Sequence, residues 1–391
     1  MGHGIPGQRR ALALVLAVSA LVPPGTTVAA APAEVGVGPR SILIGQSAAF
    51  SGPTGDLGRE FREGAHQVFE RVNAEGGVHG RQIVMIYRDD GYDPSRSAAN
   101  TRLFLQRDGV FALFGYVGTP TLKASLPQIT AAGVPLVAPL TGAQLTRTST
   151  LPLVFNIRAS YHQEIEAIVS YLLRYGRRSI AIVYQNDAFG RDGLAGLQQA
   201  LAARSLRPAA VFAIDRQLHD TSELARRIAL VRPDAVLMVS WYRPVAQLVH
   251  QLRQRQVSAQ VLTLSFVGSR ALARTLPRND RHGVGVSQVV PFPWNARVPI
   301  VRDYQNTIRR NNSGARFGFS SLEGFLAATV LVRALQAAGP DLTRARFIQA
   351  LEAMGQTDLG GYTVHLGPGM HNGSDFVQLT FLVGRQGAFI H

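Results

Sequence analysis

Short apolar runs alternate with amphipathic stretches along most of the chain. The first apolar runs lie at 41–47, 82–89, 110–114 and 135–138. Strands with such continuous apolar character are typical of a parallel sheet that is covered on both faces. Between the first two runs, apolar residues recur at helical spacing from Phe61 to Val72, and the Gly76-Gly77 pair ends the pattern. The pattern predicts a right-handed strand–helix–strand unit.

A second series of the same kind follows residue 156. Its predicted strands lie at 179–184, 210–214, 235–239 and 260–264, with helices of 10 to 15 residues between them. Ser160 with Gln163, and Asp220 with Glu223, have the spacing of capping boxes that open two of these helices. Later helices are predicted near 299–311, 319–338 and 343–354, and later strands near 361–365 and 376–383.

The length of 391 residues exceeds what one hydrophobic core usually supports, so two domains are expected. The fold class predicted from the alternating pattern is α/β, with two doubly wound parallel-sheet lobes that face one another. Ligands of such sheets bind at the carboxyl ends of the strands. We therefore expect the functional residues in strand-end loops of both lobes.

One of these loops, Gly115 to Thr121, joins a predicted strand to the start of a predicted helix. The first backbone NH groups of a helix have no partner within it and carry the positive end of its dipole. Thr119 and Thr121 therefore flank a natural site for an anion. The alternative is that both threonines only cap the helix, which has Pro120 in a favoured first position.

The amino terminus has the layout of a secretory signal, predicted over residues 1–33. Arg9 and Arg10 precede an apolar run at 11–22, and small residues follow up to a cleavage site expected near 31–33. The run is too short to span a membrane. The arginine pair leaves twin-arginine export open, and Sec export is favoured. The chain has no cysteine, which excludes disulfides and a lipid-modified amino-terminal cysteine. The expected location is the periplasm, unanchored.

Arginine provides nearly all of the positive charge, because Lys123 is the only lysine in a chain of formal net charge +15. A polyanion partner is the functional interpretation of such a balance. The arginines are scattered singly or in pairs, without a basic run or interleaved aromatic residues. We therefore expect solvated surface charge and no nucleic-acid partner.

The sequence offers no recognisable catalytic or cofactor motif. It contains no phosphate-binding loop, no nucleophile elbow and no histidine pair at metal-binding spacing, and Gly36 and Gly38 precede the first strand instead of following it. Asp89, Asp90 and Asp93 form an acidic group that a catalytic pair or a cation site would explain, although a capped turn explains it better. We expect no cofactor, no metal ion and no enzymatic activity.

Taken in order, a set of loop motifs resembles the type I periplasmic binding proteins of the leucine/isoleucine/valine group. They are Ser51-Gly52-Pro53, Asn73 with Gly76-Gly77 and Gly80, Asp89-Asp90 with Asp93-Pro94, Gly115 to Thr121, Gly133-Val134-Pro135 with Pro139, Phe155 with Arg158, and Asp187 with Gly190 and Gly193. The resemblance covers 41–391. It implies a solute-binding component of an ABC importer that works with an inner-membrane ABC permease, and we expect a monomer.

The resemblance also implies three chain crossings between the lobes, near 156–158, 284–287 and 359–363. The first lobe would comprise 40–157 plus 287–359, and the second 158–286 plus 360–391. A ligand carboxylate would lie on the turn at 118–121 and on the loop at 139–143, with aromatic residues of the second lobe closing over it. The ligand-binding residues implied are Leu57, Tyr116, Gly118, Thr119, Thr121, Pro139, Thr141, Phe189, Trp241, Tyr242 and Ser265. The alternative for the aromatic residues is packing in the core.

Ser265 departs from the family pattern, because amino-acid-binding members place there a carboxylate that holds the ligand ammonium. A serine cannot neutralise a buried cation, unless Asp187 or another acid compensates. The expected solute is a small carboxylate, either amino acid-like or an aromatic acid, and the missing acid favours a ligand without an ammonium. Two other functions stay open: a ligand sensor that signals to a membrane receptor, and an enzyme on a doubly wound scaffold, for which no nucleophile or cofactor loop is found.

Overall fold

The computed structural model describes residues 1–4, 34–216, 220–311, 316–384 and 388–391. Almost all of the predicted signal at 1–33 lies outside these residues. The strands are β1 (Ser41–Ala48), β2 (Gln82–Asp89), β3 (Ala112–Phe114), β4 (Leu136–Val137), β5 (Val154–Phe155), β6 (Ile180–Gln185), β7 (Ala210–Ile214), β8 (Ala235–Val239), β9 (Gln260–Thr263), β10 (Gly285–Gln288), β11 (Gly355–Asp358), β12 (Thr363–Leu366), β13 (Gln378–Val383) and β14 (Ala388–Ile390).

The helices alternate with these strands over most of the chain. They are α1 (Gly55–Ala74), α2 (Pro94–Leu103), α3 (Thr119–Ala131), α4 (Tyr161–Arg174), α5 (Ala188–Ala202), α6 (Ser222–Val231), α7 (Tyr242–Gln254), α8 (Ser269–Thr275), α9 (Pro299–Arg310), α10 (Phe319–Ala337) and α11 (Arg344–Glu352). A π-helical turn at Phe104–Asp108 continues α2, and 3₁₀ turns lie at Gln144–Thr146 and Ser265–Val267.

Two main sheets form the centres of two lobes, as the alternating pattern predicts. The first sheet is wholly parallel, in the order β2-β1-β3-β4-β5. The second has the order β14-β13-β10-β9-β8-β6-β7, in which β6 to β10 are parallel and β13 and β14 are antiparallel additions at one edge. A separate pair, β11 and β12, is antiparallel.

The late helices return to the first lobe, where α10 packs closely against α1. Glycines make this approach possible: a Cβ at Gly64 would lie 1.7 Å from the backbone oxygen of Ser321, and one at Gly324 would lie 1.9 Å from that of Phe61. Strands β13 and β14 then return to the second sheet. The chain therefore passes between the lobes three times, after β5, after β10 and before β13.

The first and third crossings run side by side and are hydrogen-bonded to each other. The NH of Asn156 donates to the backbone oxygen of His371 over 2.8 Å, and the NH of Gly373 donates to that of Asn156 over 2.8 Å. The hydroxyl of Tyr362 donates to the backbone oxygen of Ile157 over 2.6 Å. These bonds join the crossings into one connection.

The two predicted capping boxes have different outcomes. At α4 the box is present, with Ser160 and Gln163 each accepting a backbone NH from the other end of the motif. The prediction at Asp220 is wrong, because Thr221 is the residue that precedes α6 and its side chain makes no capping bond. Asp220 instead accepts from the NH of Ser222 over 2.8 Å, a local turn that competes with capping.

The acidic loop after β2 forms the capped turn that the Asp-Pro sequence predicts. Asp93 accepts from the first NH groups of α2, and Asp90 accepts from the NH of Tyr92 over 2.9 Å. Asp89 accepts from the NH of Phe50 over 2.8 Å, which joins this loop to the loop after β1. All three carboxylates therefore hold backbone turns at the strand ends.

Candidate functional site

Thr119 and Thr141, from the two loops of the first lobe that are expected to hold a ligand carboxylate, lie together at the strand ends. Gly118, at φ +101°, ends the turn after β3 and lets α3 begin at Thr119. The Oγ1 atoms of Thr119 and Thr141 lie 2.7 Å apart, and both side chains are fully buried. Thr141 comes from the loop after β4, where its NH donates to the oxygen of Pro139 over 2.9 Å.

Three other predicted residues of the first lobe have roles in the fold. The hydroxyl of Thr121 donates back to the oxygen of Val117, 2.6 Å away, and so closes the turn. Tyr116 points into a separate core, where its hydroxyl bonds to Thr101 over 3.0 Å. Leu57 is buried in the main core within α1. The structure does not bring these three side chains to the threonine pair.

Aromatic rings of both lobes meet opposite the threonines. Phe189, a predicted contact, lies with its ring 4.8 Å from that of Phe266 and 5.0 Å from that of Tyr161. Tyr92, from the first lobe, lies 6.0 Å from Phe266 across the cleft. The four rings, which we call the aromatic cluster, are each at most 1% exposed.

Sequence reasoning missed three of the four rings. Tyr161 directly follows the helix-capping residue Ser160, and Phe266 directly follows the predicted ligand contact Ser265. Tyr92 occupies a positive-φ position in the turn after β2, at φ +66°, for which the sequence gives no distinct signal. For Tyr161 and Phe266, the neighbouring residues Ser160 and Ser265 were therefore the only sequence signal of a place in the cleft.

Several polar side chains are buried in pairs at the aromatic cluster. The Tyr92 hydroxyl lies beside the amide of Gln185, and the Tyr161 hydroxyl lies beside that of Thr141. Burial raises the pKa of Tyr161 to about 12 and that of Tyr92 well above its usual value, so both phenols are neutral donors. A polar ligand group in the cleft can accept a hydrogen bond from such hydroxyls.

Arg216 connects the lobes beside the cluster. Its Nη1 donates to the backbone oxygen of Tyr92 over 2.9 Å, and its Nη2 lies 3.3 Å from Oδ2 of Asp187. The indole NH of Trp241 donates to the backbone oxygen of Arg216 over 3.3 Å. The ring of Tyr242 packs edge-on against the Trp241 indole, with the ring centres 5.3 Å apart. The two predicted aromatic residues therefore support the segment that carries Arg216.

Ser265 belongs to a buried ionic network at the first crossing. Its NH and its hydroxyl donate to the two oxygens of Glu164, over 2.8 and 3.0 Å. Arg158 forms ion pairs with Glu164 at 3.0 Å and with Glu323 at 3.2 Å, and it also donates to the Ser265 hydroxyl. Ser287, at the second crossing, donates to Glu164 over 2.6 Å.

The network holds one guanidinium between two carboxylates, a formal net charge of −1 when all three groups are ionised. Burial opposes the charge on Arg158, yet Glu323 and Glu164 outweigh it and raise the pKa of the guanidinium. Burial raises the pKa of Glu323. Both carboxylate oxygens of Glu164 accept hydrogen bonds, and together they hold Arg158, Ser265 and Ser287.

Within the described ranges, no group of three or more histidine, aspartate or glutamate side chains could hold a metal ion. None of the helices in this described part is both long and apolar enough to cross a bilayer.

Comparison with known proteins identifies the architecture. The periplasmic binding protein family matches residues 41–377. The chain belongs to this family. A possible leucine/isoleucine/valine-binding protein from Rhodopirellula baltica is 31% identical, with a TM-score of 0.81, over 90% of this chain and 96% of that one. A substrate-binding periplasmic protein from Ralstonia solanacearum is 30% identical, with a TM-score of 0.83, over 90% and 99%.

A curated relative is more distant. An amino acid binding protein from Pseudomonas aeruginosa is 23% identical over 237 residues, which are 60% of this chain and 63% of that protein. The match thus covers less than two thirds of the relative's length. Membership of the family confirms the predicted α/β fold with two lobes, and the prediction of a binding protein rather than an enzyme.

Proposed function

We propose that this protein is the periplasmic solute-binding component of an ABC importer and that it captures a small organic carboxylate with an apolar body. The observation that carries the proposal is the Thr119–Thr141 hydroxyl pair at the start of α3, with the aromatic cluster opposite it. A mostly apolar wall with a few fixed donors is the usual character of a site for a small ligand.

The start of α3 favours a carboxylate over a neutral group. The first NH groups of this helix have no partner within it, and the Thr119 hydroxyl lies beside them. The neutral phenols of Tyr92 from the first lobe and Tyr161 from the second add donors. Donors from both lobes would then surround the negative oxygen atoms of the ligand.

The acids near the cleft do not favour a ligand ammonium. Glu164 and Glu323 both pair with Arg158, and Asp187 pairs with Arg216 while its other oxygen caps α5. A buried ammonium needs an ionised carboxylate of its own. Taking Asp187 would leave Arg216 without its carboxylate, and Glu164 already accepts hydrogen bonds on both oxygens. Burial raises the pKa of Glu323, which disfavours its charged form. The proposed solute is therefore a carboxylate without an ammonium, such as an aromatic acid.

The proposed mechanism is closure of the two lobes on the solute. The lobes comprise 40–157 plus 287–359 and 158–286 plus 360–391, with the three crossings as the hinge. Contacts across the cleft, such as the 2.9 Å bond from the Gln144 NH to Asp192, belong to the closed form. A solute that contacts both lobes shifts the open–closed equilibrium, and the closed monomer then binds the membrane permease.

Titration calorimetry tests the ligand class. The protein is first unfolded and refolded, which removes any bound solute. Two matched pairs isolate the ammonium: leucine against 4-methylpentanoate, and phenylalanine against 3-phenylpropanoate. We expect the acids without an ammonium to bind more tightly by tenfold or more. Tighter binding of the amino acids would contradict the charge argument, and binding of none of the four would contradict the proposed carboxylate site.

Transport is tested separately from binding. Uptake of the bound acid is measured in cells with and without the gene, at solute concentrations near the measured Kd. Loss of uptake in the deletion supports import. Unchanged uptake together with a lost transcriptional or motile response to the acid would support a sensor instead.

A further inference from the structure

A second concave region lies beside the cleft, between α8, the segment after β10 and β14. Its cavity has a volume of about 500 Å³, within the range of sites for small organic molecules. We call it the lateral groove. Residues of both lobes line it, since Arg316 precedes α10 in the first lobe whereas Arg270 and Arg274 belong to α8 in the second.

Aromatic rings form one wall of the lateral groove. The ring of Trp294 lies 5.1 Å from that of Phe292 and nearly parallel to that of Phe389, at 6.4 Å and an interplanar angle of 15°. Trp294 is 42% exposed, although it packs against three other rings, those of Phe292, Phe319 and Phe389. The exposed indole face is available to a flat apolar group, because stacked and edge-on ring contacts are favourable.

Arginines form the other wall. The four that line the groove are Arg270, Arg274, Arg281 and Arg316. Arg270 lies 3.5 Å from Glu60 and Arg274 lies 3.2 Å from Asp56, so two carboxylates of α1 face two of the four guanidinium groups. The lining therefore carries an excess of positive charge next to an aromatic surface.

We propose that the lateral groove is a second ligand site, distinct from the cleft, for an organic anion with a flat apolar body. Guanidinium groups bind carboxylates through paired, charge-assisted hydrogen bonds, and the ring of Trp294 accommodates the apolar part. An aromatic carboxylate such as benzoate has both features. Its volume is well below the 500 Å³ of the groove.

Occupation of the lateral groove also favours the closed form, a part of the inference that rests on the proposed function. An anion that contacts Arg316 on one lobe and Arg274 on the other binds best when the lobes are together. By linkage, the anion then tightens solute binding in the cleft, and the solute tightens anion binding in the groove by the same factor.

The protein has two tryptophans, Trp241 beside the cleft through its bond to Arg216 and Trp294 in the lateral groove, and this permits separate measurements. In Trp241→Phe, the emission of Trp294 reports the lateral groove. In Trp294→Phe, the emission of Trp241 reports the cleft. The probe is benzoate, and benzamidinium is the matched control because it has the same ring with the opposite charge.

We expect benzoate to change the Trp294 emission of Trp241→Phe saturably and benzamidinium to leave it unchanged. Arg274→Gln in that background should weaken the response at least tenfold, whereas the matched change Arg226→Gln, at an exposed pair with Glu223, should not. The same titrations on Trp294→Phe test the cleft independently of the groove.

Three results would overturn the proposal of a ligand site in the lateral groove. They are no saturable change in Trp294 emission, an equal change with benzamidinium, and a change that Arg274→Gln leaves intact. Each of them leaves the cleft measurement with Trp241 unaffected. The converse result is that benzoate changes the emission of Trp294 and leaves that of Trp241 unchanged. That result would support the ligand site in the lateral groove and contradict the solute class proposed for the cleft.

Discussion

Arg216 of the second lobe donates to the backbone oxygen of Tyr92 on the first lobe over 2.9 Å, and its guanidinium lies 4.7 Å from the centre of the Tyr92 ring. One side chain therefore makes both a polar and a cation–π contact across the cleft. Asp187 holds the guanidinium from its own lobe at 3.3 Å. These contacts exist only when the lobes are together.

We predict that Arg216→Met raises the Kd of the cleft ligand about tenfold, because the contacts of Arg216 stabilise the closed form by an amount of order 1.4 kcal/mol. Small-angle X-ray scattering of the liganded variant should show a larger radius of gyration than that of the unchanged protein. Arg226→Met, at an exposed ion pair of the same lobe, is the control. Equal affinities in all three proteins would contradict a role of Arg216 in closure.

Thr119→Val removes a hydroxyl and keeps the side-chain shape. If this hydroxyl binds a ligand carboxylate, its loss should weaken binding about tenfold, since hydrogen bonds to charged groups contribute about 1.5–3 kcal/mol. Titration calorimetry measures the change. Thr101→Val makes the same replacement at a buried threonine that bonds to Tyr116, away from the cleft. A similar loss of affinity in both variants would indicate a general effect on stability.

Glu164→Gln should lower the free energy of unfolding by about 1–3 kcal/mol, because it removes a buried charged acceptor from Ser265 and Ser287 and leaves Arg158 with Glu323 alone. Denaturant unfolding measures this difference. Glu166→Gln, two residues along the same helix, removes only an exposed pair with Arg204 and should cost less than about 1 kcal/mol. If the two variants are equally stable, the network at the first crossing does not stabilise the fold.

Glu60 should make stability depend on pH. Burial raises its pKa from 4.5 to about 7, against the opposing influence of Arg270 and Arg274. The folded protein therefore binds more protons than the unfolded chain between about pH 4.5 and 7, and stability falls as the pH rises through this window. Glu60→Gln removes this contribution and should be more stable than the unchanged protein at pH 8, by up to about 3 kcal/mol.

Thermal unfolding of Glu60→Gln and of the unchanged protein at pH 5 and pH 8 gives the comparison. At pH 5 the difference in Tm should be much smaller, because Glu60 is then protonated in the folded state. Glu63→Gln, at an exposed position on the same helix, should not alter the pH dependence. A loss of stability in Glu60→Gln at pH 8 would show that the ion pair with Arg270 outweighs the cost of burial.

Gly118→Ala tests the turn that precedes α3. A Cβ at this position would lie 2.3 Å from Cε2 of Tyr92, and the backbone is at φ +101°. Gly133 also has positive φ, at +62°, but a Cβ there meets nothing within 4 Å. Gly133→Ala should therefore cost only the backbone strain, about 1 kcal/mol, and Gly118→Ala should cost clearly more. Equal losses of unfolding free energy would exclude the clash with Tyr92.

Most of the fold follows from patterns that are local in sequence. The continuous apolar runs that become β1, β2 and β6 to β9 were predicted within a few residues, and Ser160 marked the start of α4. The two-residue strand β5 was missed, because so short a segment has no periodicity of its own, whereas the equally short β4 lies within the apolar run at 135–138. Asp220 was misassigned because a carboxylate can close a turn as readily as it caps a helix.

The amino-acid sequence by itself determined the alternation of strands and helices, the turn that places Thr119 at a helix start, and the family resemblance. Only the tertiary structure decided that Ser265 faces Glu164 and that Tyr92 meets Phe266 across the cleft. The physical reason is distance along the chain: hydrophobic periodicity and capping act over a few residues. The partners of Ser265 and of Tyr92 come from segments 100 or more residues away, and only the packing of distant segments sets them.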